Sequence, residues 1–391
     1  MRRTPTRLPL PPTTRLLATR LLTVGLLALA LLLGGCAGAR LGDERKIEPF
    51  ATLLRQGDDF GTVTTRQDGA APGGTPLQIG LVQMPLRHRG SGPLLVLQSG
   101  LLADSTSWRF LAPLLAAHYD LLMVDPPGTG ASDKPGVETL GETAYSPTWL
   151  GRYTLRAVQR WEASRGSTRR GLVLVGHSLG CTSILMAIGD PDLPGDLWGT
   201  AGRVQKIVLF QPADVGMRCP SPSFELFESL GDGVMQVGSA LGLSRHVVNH
   251  AIYDSVVNPR QRAHRQEAEG FYEVVNCVDT RHAAQAMLNR FRPVDARRRP
   301  NWPLIRLLEM RYRNVRQPTL LIWGDQDAVL EASSPSRLVH ALPNARARHV
   351  SDAKHSPHQE RPLLCAEWIR AFLEEDEVGS QVVQSRAVPS K

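Results

Sequence analysis

A serine set between two glycines, Gly176-His177-Ser178-Leu179-Gly180, carries the strongest chemical signal in this 391-residue chain. A serine hydroxyl is a poor nucleophile at neutral pH. It attacks a carbonyl only when a nearby base takes its proton and a carboxylate orients that base. The candidate base is His355, in a Pro-containing loop near the C-terminus. His358 lies three residues further on and reads as a surface residue, and His177 reads as a packing or hydrogen-bonding neighbour of the nucleophile. The candidate acids are Asp327, Asp325 two residues before it, and Asp214. A tetrahedral intermediate also needs backbone N–H donors for its oxyanion. The N–H of Leu179, at the head of a helix whose dipole favours negative charge, is one candidate. The N–H of Leu101, after the Ser99-Gly100 turn, is the other.

These residues need elements to hold them. Gly171-Leu-Val-Leu-Val175 reads as a buried strand and Cys181–Ile188 as a helix, so Ser178 sits on a strand-turn-helix elbow. Upstream, Pro93–Gln98 and Tyr119–Asp125 read as strands, and Trp108–Ala117 and Pro147–Ala163 as helices. Downstream, Val204–Phe210, Thr319–Trp323 and Arg346–Val350 read as strands, and Pro362–Glu374 as a closing amphipathic helix. Continuous apolar strands alternating with helices imply a mostly parallel α/β sheet with helices on both faces. Asp327 then comes after a strand and the Gly324 turn, at the carboxyl edge of the sheet.

Residues 214–315 break the rhythm. They are too many for a loop, rich in Arg, Gln and His, and carry helical patches at 224–230, 246–257 and 283–291. They read as a helical cap inserted before the strand that carries the acid, with apolar anchors Phe224, Phe227, Met235, Phe271, Met287 and Trp302. The remaining divisions are a signal segment (1–35), a tether and linker (36–76), two core parts (77–213 and 316–376) and a flexible tail (377–391).

The chain from about residue 77 to 375 resembles the α/β-hydrolase superfamily in its capped, serine-nucleophile branch. The matching pieces are Gln98–Leu101, Val124–Pro135, Gly176–Gly180, Trp323–Val329 and His355–Pro362, in that order. The resemblance implies the chain order Ser, Asp, His, which Ser178, Asp327 and His355 satisfy. It also implies that Asp125–Pro135 is a structural turn beside the active-site mouth. Relatives often carry His-Gly where this chain has Ser99-Gly100. Capped relatives with an aspartate nucleophile open epoxides or cleave carbon–halogen bonds, and Ser178 argues against both. A serine implies acyl transfer, foremost carboxylic ester hydrolysis of a small-molecule or lipid ester. Carbon–carbon, thioester or amide hydrolysis, aminopeptidase action, or a non-catalytic binding protein on the same scaffold are the alternatives. No cofactor and no metal are implied.

The front end bears on location. Residues 1–35 hold five arginines and no acid, and Leu21–Leu33 is an apolar run of 13 residues, right for the core of a signal peptide and short for a membrane span. Leu33-Gly34-Gly35-Cys36 resembles the bacterial lipobox, which implies a lipid on Cys36 and a chain anchored to a membrane of the bacterial cell envelope. Removing 1–35 lowers the net charge from +8 to +3, so the basic balance is partly a targeting feature and no nucleic-acid footprint remains. Cys219 and Cys277 both fall in the insert, where an oxidising compartment would allow a disulfide; two free thiols are the other reading.

Overall fold

The computed structural model describes residues 59–65, 77–84, 93–140, 143–166, 168, 171–217, 244–260, 268, 271–272, 274–291 and 299–384. The strands are β1 (Asp59–Thr65), β2 (Leu77–Met84), β3 (Leu94–Gln98), β4 (Asp120–Val124), β5 (Leu172–His177), β6 (Val204–Phe210), β7 (Thr319–Gly324) and β8 (Ala345–Val350). They form one sheet in the order β1-β2-β4-β3-β5-β6-β7-β8. β1, β2 and β4 pair antiparallel, and β4 through β8 run parallel. The longer helices are α1 (Ala112–Ala116), α2 (Pro147–Arg165), α3 (Leu179–Ile188), α4 (Val278–Phe291), α5 (Trp302–Tyr312), α6 (Ser334–Ala341) and α7 (Pro362–Gln384).

Strand side chains alternate between faces, and here each face has its own core. Leu94, Val96, Leu172, Leu174, Ile207, Leu209 and Leu321 pack with residues of α2, α3 and α6. Leu95, Leu97, Val173, Val175, Val208, Phe210 and Ile322 pack with residues of α1 and α7. A strand apolar on both faces can be buried only between two helical layers. That is why the uninterrupted apolar runs at 94–97, 172–175 and 320–323 lie on strands flanked on both sides within the parallel sheet.

Two boundaries differ from the sequence reading. The sheet begins inside the expected tether, because Asp59–Thr65 pairs residue for residue with β2, Val63 opposite Ile79. That segment pairs with β2 along its whole length. The last helix runs to Gln384, past the expected start of the tail. The signal segment with Cys36, the residue Cys219 and the anchors Phe224, Phe227 and Met235 lie outside the described residues. Cys277 is an exposed free thiol. The described parts of the 214–315 insert are mostly helical: 244–256, with a π turn over Val247–Tyr253, then α4 and α5. α5 lies against the core, with Tyr312 buried in the α2/α3 layer.

Candidate active site

The elbow is built by close approach. β5 ends at His177, and α3 starts at Leu179. Ser178 between them is held at φ 50°, ψ −117°, with its N–H donating to Phe210 O at 2.9 Å. Both flanking glycines are required by space. A Cβ on Gly176 would come within 2.9 Å of the Cys181 backbone, and one on Gly180 within 2.5 Å of the carbonyl oxygens of Gln98 and Ser99. Four non-glycine residues have positive φ among the described residues, and three of them, Leu102, Ser178 and Gln211, surround this site. Such strain persists only where the surroundings over-determine it.

Ser178 opens into a cavity of about 120 Å³. One wall comes from the core: Leu101, Leu179, Val329 and Leu330. The facing wall comes from the insert: Tyr253, Val256, Phe271, Leu288 and Phe291. His355, His177, Ser107, Ser255, Ser356 and Gln359 add the polar lining. Two of the expected insert anchors are thereby placed: Phe271 faces the cavity, whereas Met287 is buried in the core layer.

Behind the serine, His355 Nδ1 lies 2.9 Å from Asp327 Oδ2, and both side chains are almost wholly buried. A carboxylate accepts, so Nδ1 carries the proton and Nε2 is left as the basic nitrogen. Asp327 is fixed on both oxygens. Oδ1 accepts from the N–H groups of Val329 (2.6 Å) and Leu330 (3.2 Å). Oδ2 accepts from Gln211 Nε2 at 2.8 Å as well as from His355. Ser178 Oγ and His355 share the cavity without a hydrogen bond between them in this conformation. Such bonds are often long in free enzymes and tighten around substrate.

The two rival acids are occupied elsewhere. Asp325 is exposed and pairs with His349 at 2.8 Å. Asp214 is buried, pairs with Arg337 at 2.8 Å and accepts from Gly216 N–H and Tyr312 Oη–H. Burial pushes its carboxyl above the ordinary value, against the pull of Gly216 and Arg337. Leu101 and Leu179 both line the cavity. Leu179 is the first residue of α3, so its N–H has no acceptor within the helix. Ser99, where relatives carry histidine, bonds Asp104 O (2.6 Å) and Ser107 Oγ (3.0 Å) and so closes the 99–107 loop itself. Asp125 accepts from Ser105 and Ala131 N–H, which ties that loop to the Gly128–Gly130 turn.

His358 is not a surface residue. It is fully buried, packed between His177 (ring centroids 4.5 Å) and Trp108 (4.7 Å) with the rings tilted to one another. The short helix Pro357–Glu360 turns it inward, a placement that spacing alone does not reveal. Burial and the neighbouring His355 lower its pKa to about 3, so its ring is neutral. His177 is also pushed down, first by burial and then by His358 and His355. Its Nε2 must donate, because its partner at 2.9 Å is the carbonyl of His355. His177 thus pins the backbone of the histidine loop.

Two further residues carry weight that the sequence reading did not assign. Gln211 comes directly after β6 and reaches Asp327, Gly324 O and Lys354 O with one amide nitrogen. A polar residue ending a strand of apolar ones was the available signal. Glu360 ties the insert to the histidine loop. Its Oε1 accepts from Lys354 N–H (2.8 Å), its Oε2 from Asn258 N–H (3.1 Å), and Lys354 Nζ donates to Asp254 O.

Burial raises the Glu360 carboxyl to about 7 from 4.5, and the backbone donors and Lys354 only partly offset it. The folded state therefore holds this proton more tightly than the unfolded chain. Its contribution to stability is complete below about pH 4.5 and is lost as pH rises through about 7. Glu360→Gln should remove that slope. Its amide has one acceptor for two N–H donors, so at pH 5 it should cost about 1–3 kcal/mol, the range for one buried bond left unmade. Above pH 7 the cost should shrink, since the wild type then buries a charge. Urea unfolding at pH 5 and pH 8 checks this; an equal deficit at both would contradict it.

Known proteins resemble this chain at low identity. A 2-(acetamidomethylene)succinate hydrolase of Mesorhizobium japonicum is 24% identical over 300 residues, 76% of this chain and 94% of that protein. Epoxide hydrolase 3 of Xenopus tropicalis is 26% identical over 310 residues, 73% of this chain and 72% of that one. The crystal structure of a bacterial membrane phospholipase A superposes with a TM-score of 0.57 at 22% identity, covering 93% of this chain and 98% of the other. The model of the alpha/beta hydrolase family matches residues 94–368, the span that holds the elbow, the acid and the histidine loop, and the chain belongs to that family.

Proposed function

We propose that this protein is a serine hydrolase that cleaves carboxylic esters with an apolar acyl group, through an acyl-enzyme on Ser178. The observation that carries the reading is the joint placement of Ser178 and the Asp327-oriented His355 in a largely apolar cavity. Ser178 Oγ attacks the ester carbonyl as His355 Nε2 takes its proton. The N–H groups of Leu101 and Leu179 receive the developing oxyanion. His355 then protonates the leaving alkoxide, and the same steps with water release the acid. The acyl chain lies against Leu102, Phe271, Leu288 and Phe291.

Epoxide opening, the activity named for one relative, does not suit this elbow. A carboxylate nucleophile gives an ester that water can cleave, whereas serine would give a stable ether. Residues 1–35 and Cys36 add an export signal and a lipid anchor to the proposal, which puts the enzyme on a membrane of the cell envelope. Among the described residues no helix is long and apolar enough to cross a membrane.

The test uses the full chain with an organophosphonate probe and a panel of p-nitrophenyl esters of rising acyl length. Labelling at Ser178 and turnover that peaks at one chain length are expected. Labelling without ester turnover would move the reading to amide or carbon–carbon hydrolysis, and no labelling would make the protein a binding module. Loss of metabolic palmitate labelling in Cys36→Ala checks the anchor.

A further inference from the structure

α5 shows one face to the protein and a different kind of face to solvent. Ile305 and Tyr312 are buried and Leu308 is packed against the core. On the opposite side Leu304, Leu307 and Met310 are 41%, 60% and 56% exposed. Spaced three apart, they form one stripe along the helix, with Pro303 exposed beside them. A single exposed leucine needs no explanation. Here, however, three of the seven large exposed apolar side chains among the described residues share a single helix face.

The edge of the stripe is basic. Arg306 and Arg313 project on the same flank, and Arg316 stands in the connection to β7. All three are exposed, and none makes an ion pair with a described residue. The helix's one acid, Glu309, lies toward Gly216 on the protein side. Arg311 is turned inward to Asp190 and Thr148. An apolar stripe edged by unpaired arginines is the pattern of a helix lying in the plane of a lipid interface.

We propose that α5 docks on an anionic lipid surface, Leu304, Leu307 and Met310 entering the acyl boundary and Arg306, Arg313 and Arg316 meeting lipid phosphates. A second copy of the chain fits less well. A two-fold contact through this face would bring like-charged arginine flanks together, whereas anionic headgroups neutralise them. Docking by α5 draws on the proposed anchor, in which the apolar run Leu21–Leu33 and Cys36 direct the N-terminus to a membrane. An anchor at Cys36 by itself does not specify which face of the hydrolase body meets the membrane. α5 fixes it. Tyr312 Oη bonds Asp214 and accepts from Val215 N–H at 3.3 Å, and this loop leads back to Ala213 in the cavity wall. Docking therefore turns that side of the cavity toward the bilayer. Lipid docking by α5 is independent of the hydrolase reading.

The experiment places p-benzoylphenylalanine at position 307, and separately at 304, in the full chain bound to vesicles of phosphatidylglycerol and phosphatidylcholine with radiolabelled lipid. These side chains are exposed, so folding is not at risk. Position 363, also exposed but on α7, controls for simple tethering. Irradiation should attach lipid at 304 and 307 about tenfold more than at 363, and Arg306→Gln with Arg313→Gln and Arg316→Gln should remove most of that excess. Lipid attachment no greater than at 363, an excess that the three glutamines leave unchanged, or cross-links to a second copy of the chain would each overturn the proposal.

Discussion

Ser178→Ala should lower kcat/KM for an activated ester by about 10⁶-fold, roughly 8 kcal/mol of transition-state stabilisation. The residual rate would come from the Leu101 and Leu179 donors and from binding in the apolar cavity, which the substitution leaves in place. Stability should hardly change. Ser178 Oγ has no hydrogen-bond partner among the described residues, so alanine orphans nothing. The elbow rests on backbone bonds, Ser178 N–H to Phe210 O and Cys181 N–H to Ser178 O, that alanine keeps. Alanine also meets the same cost at φ 50° that serine already meets. Steady-state kinetics with a thermal melt check both halves. Activity within tenfold of wild type would remove Ser178 from the chemistry. A large fall in Tm would mean that the hydroxyl, and not the backbone, holds the elbow.

The elbow was legible because its signal is local. Glycines are needed where backbone passes backbone, and Gly176 and Gly180 stand at two such contacts within five residues. The parallel strands were legible for a similar reason, since a run apolar on both faces has few places to go. Asp59–Thr65 was not, because it is short and lies between a mixed, charged stretch and the Gly- and Pro-rich run at 66–76, both of which read as linker. The roles of Gln211, His358 and Glu360 were hidden for a third reason. Each acts across more than 100 residues of sequence: Gln211 on Asp327, Glu360 on Asn258, and His358 against Trp108 and His177. His358 and Glu360 share a four-residue helix with opposite duties, and only the direction of each side chain separates them. The insert was legible as a helical unit by its length, but which apolar anchors face Ser178 was not. Phe271 does, and Met287 packs into the core.

Asp327→Asn and Asp214→Asn should separate catalysis from stability in opposite directions. Asp327 Oδ1 accepts two backbone N–H groups, so an asparagine must place its carbonyl oxygen there. Its NH₂ then faces His355 Nδ1 and Gln211 Nε2, which are both donors in the wild type. Gln211 cannot simply turn over, because the same nitrogen also serves Gly324 O and Lys354 O. The conflict with His355 is relieved when His355 moves its proton to Nε2, and that nitrogen is then no longer a base; Gln211 keeps Gly324 O and Lys354 O as its acceptors. The expected loss in kcat is about 10⁴-fold, as for a triad whose histidine is held in the wrong tautomer, with little change in unfolding free energy. Asp214 makes no bond to His355. Asp214→Asn removes the partner of Arg337 at 2.8 Å, and Arg337 keeps some solvent and Glu331 at 3.6 Å. The cost should therefore fall below that of a fully buried pair, at about 1–3 kcal/mol of stability, with kcat changed less than about tenfold. Urea unfolding and kcat measured on the same two variants decide the assignment. A crippled Asp214→Asn beside an active Asp327→Asn would move the acid to the strand before the insert, and the 2.9 Å contact between His355 and Asp327 would then be a resting pair that opens before chemistry.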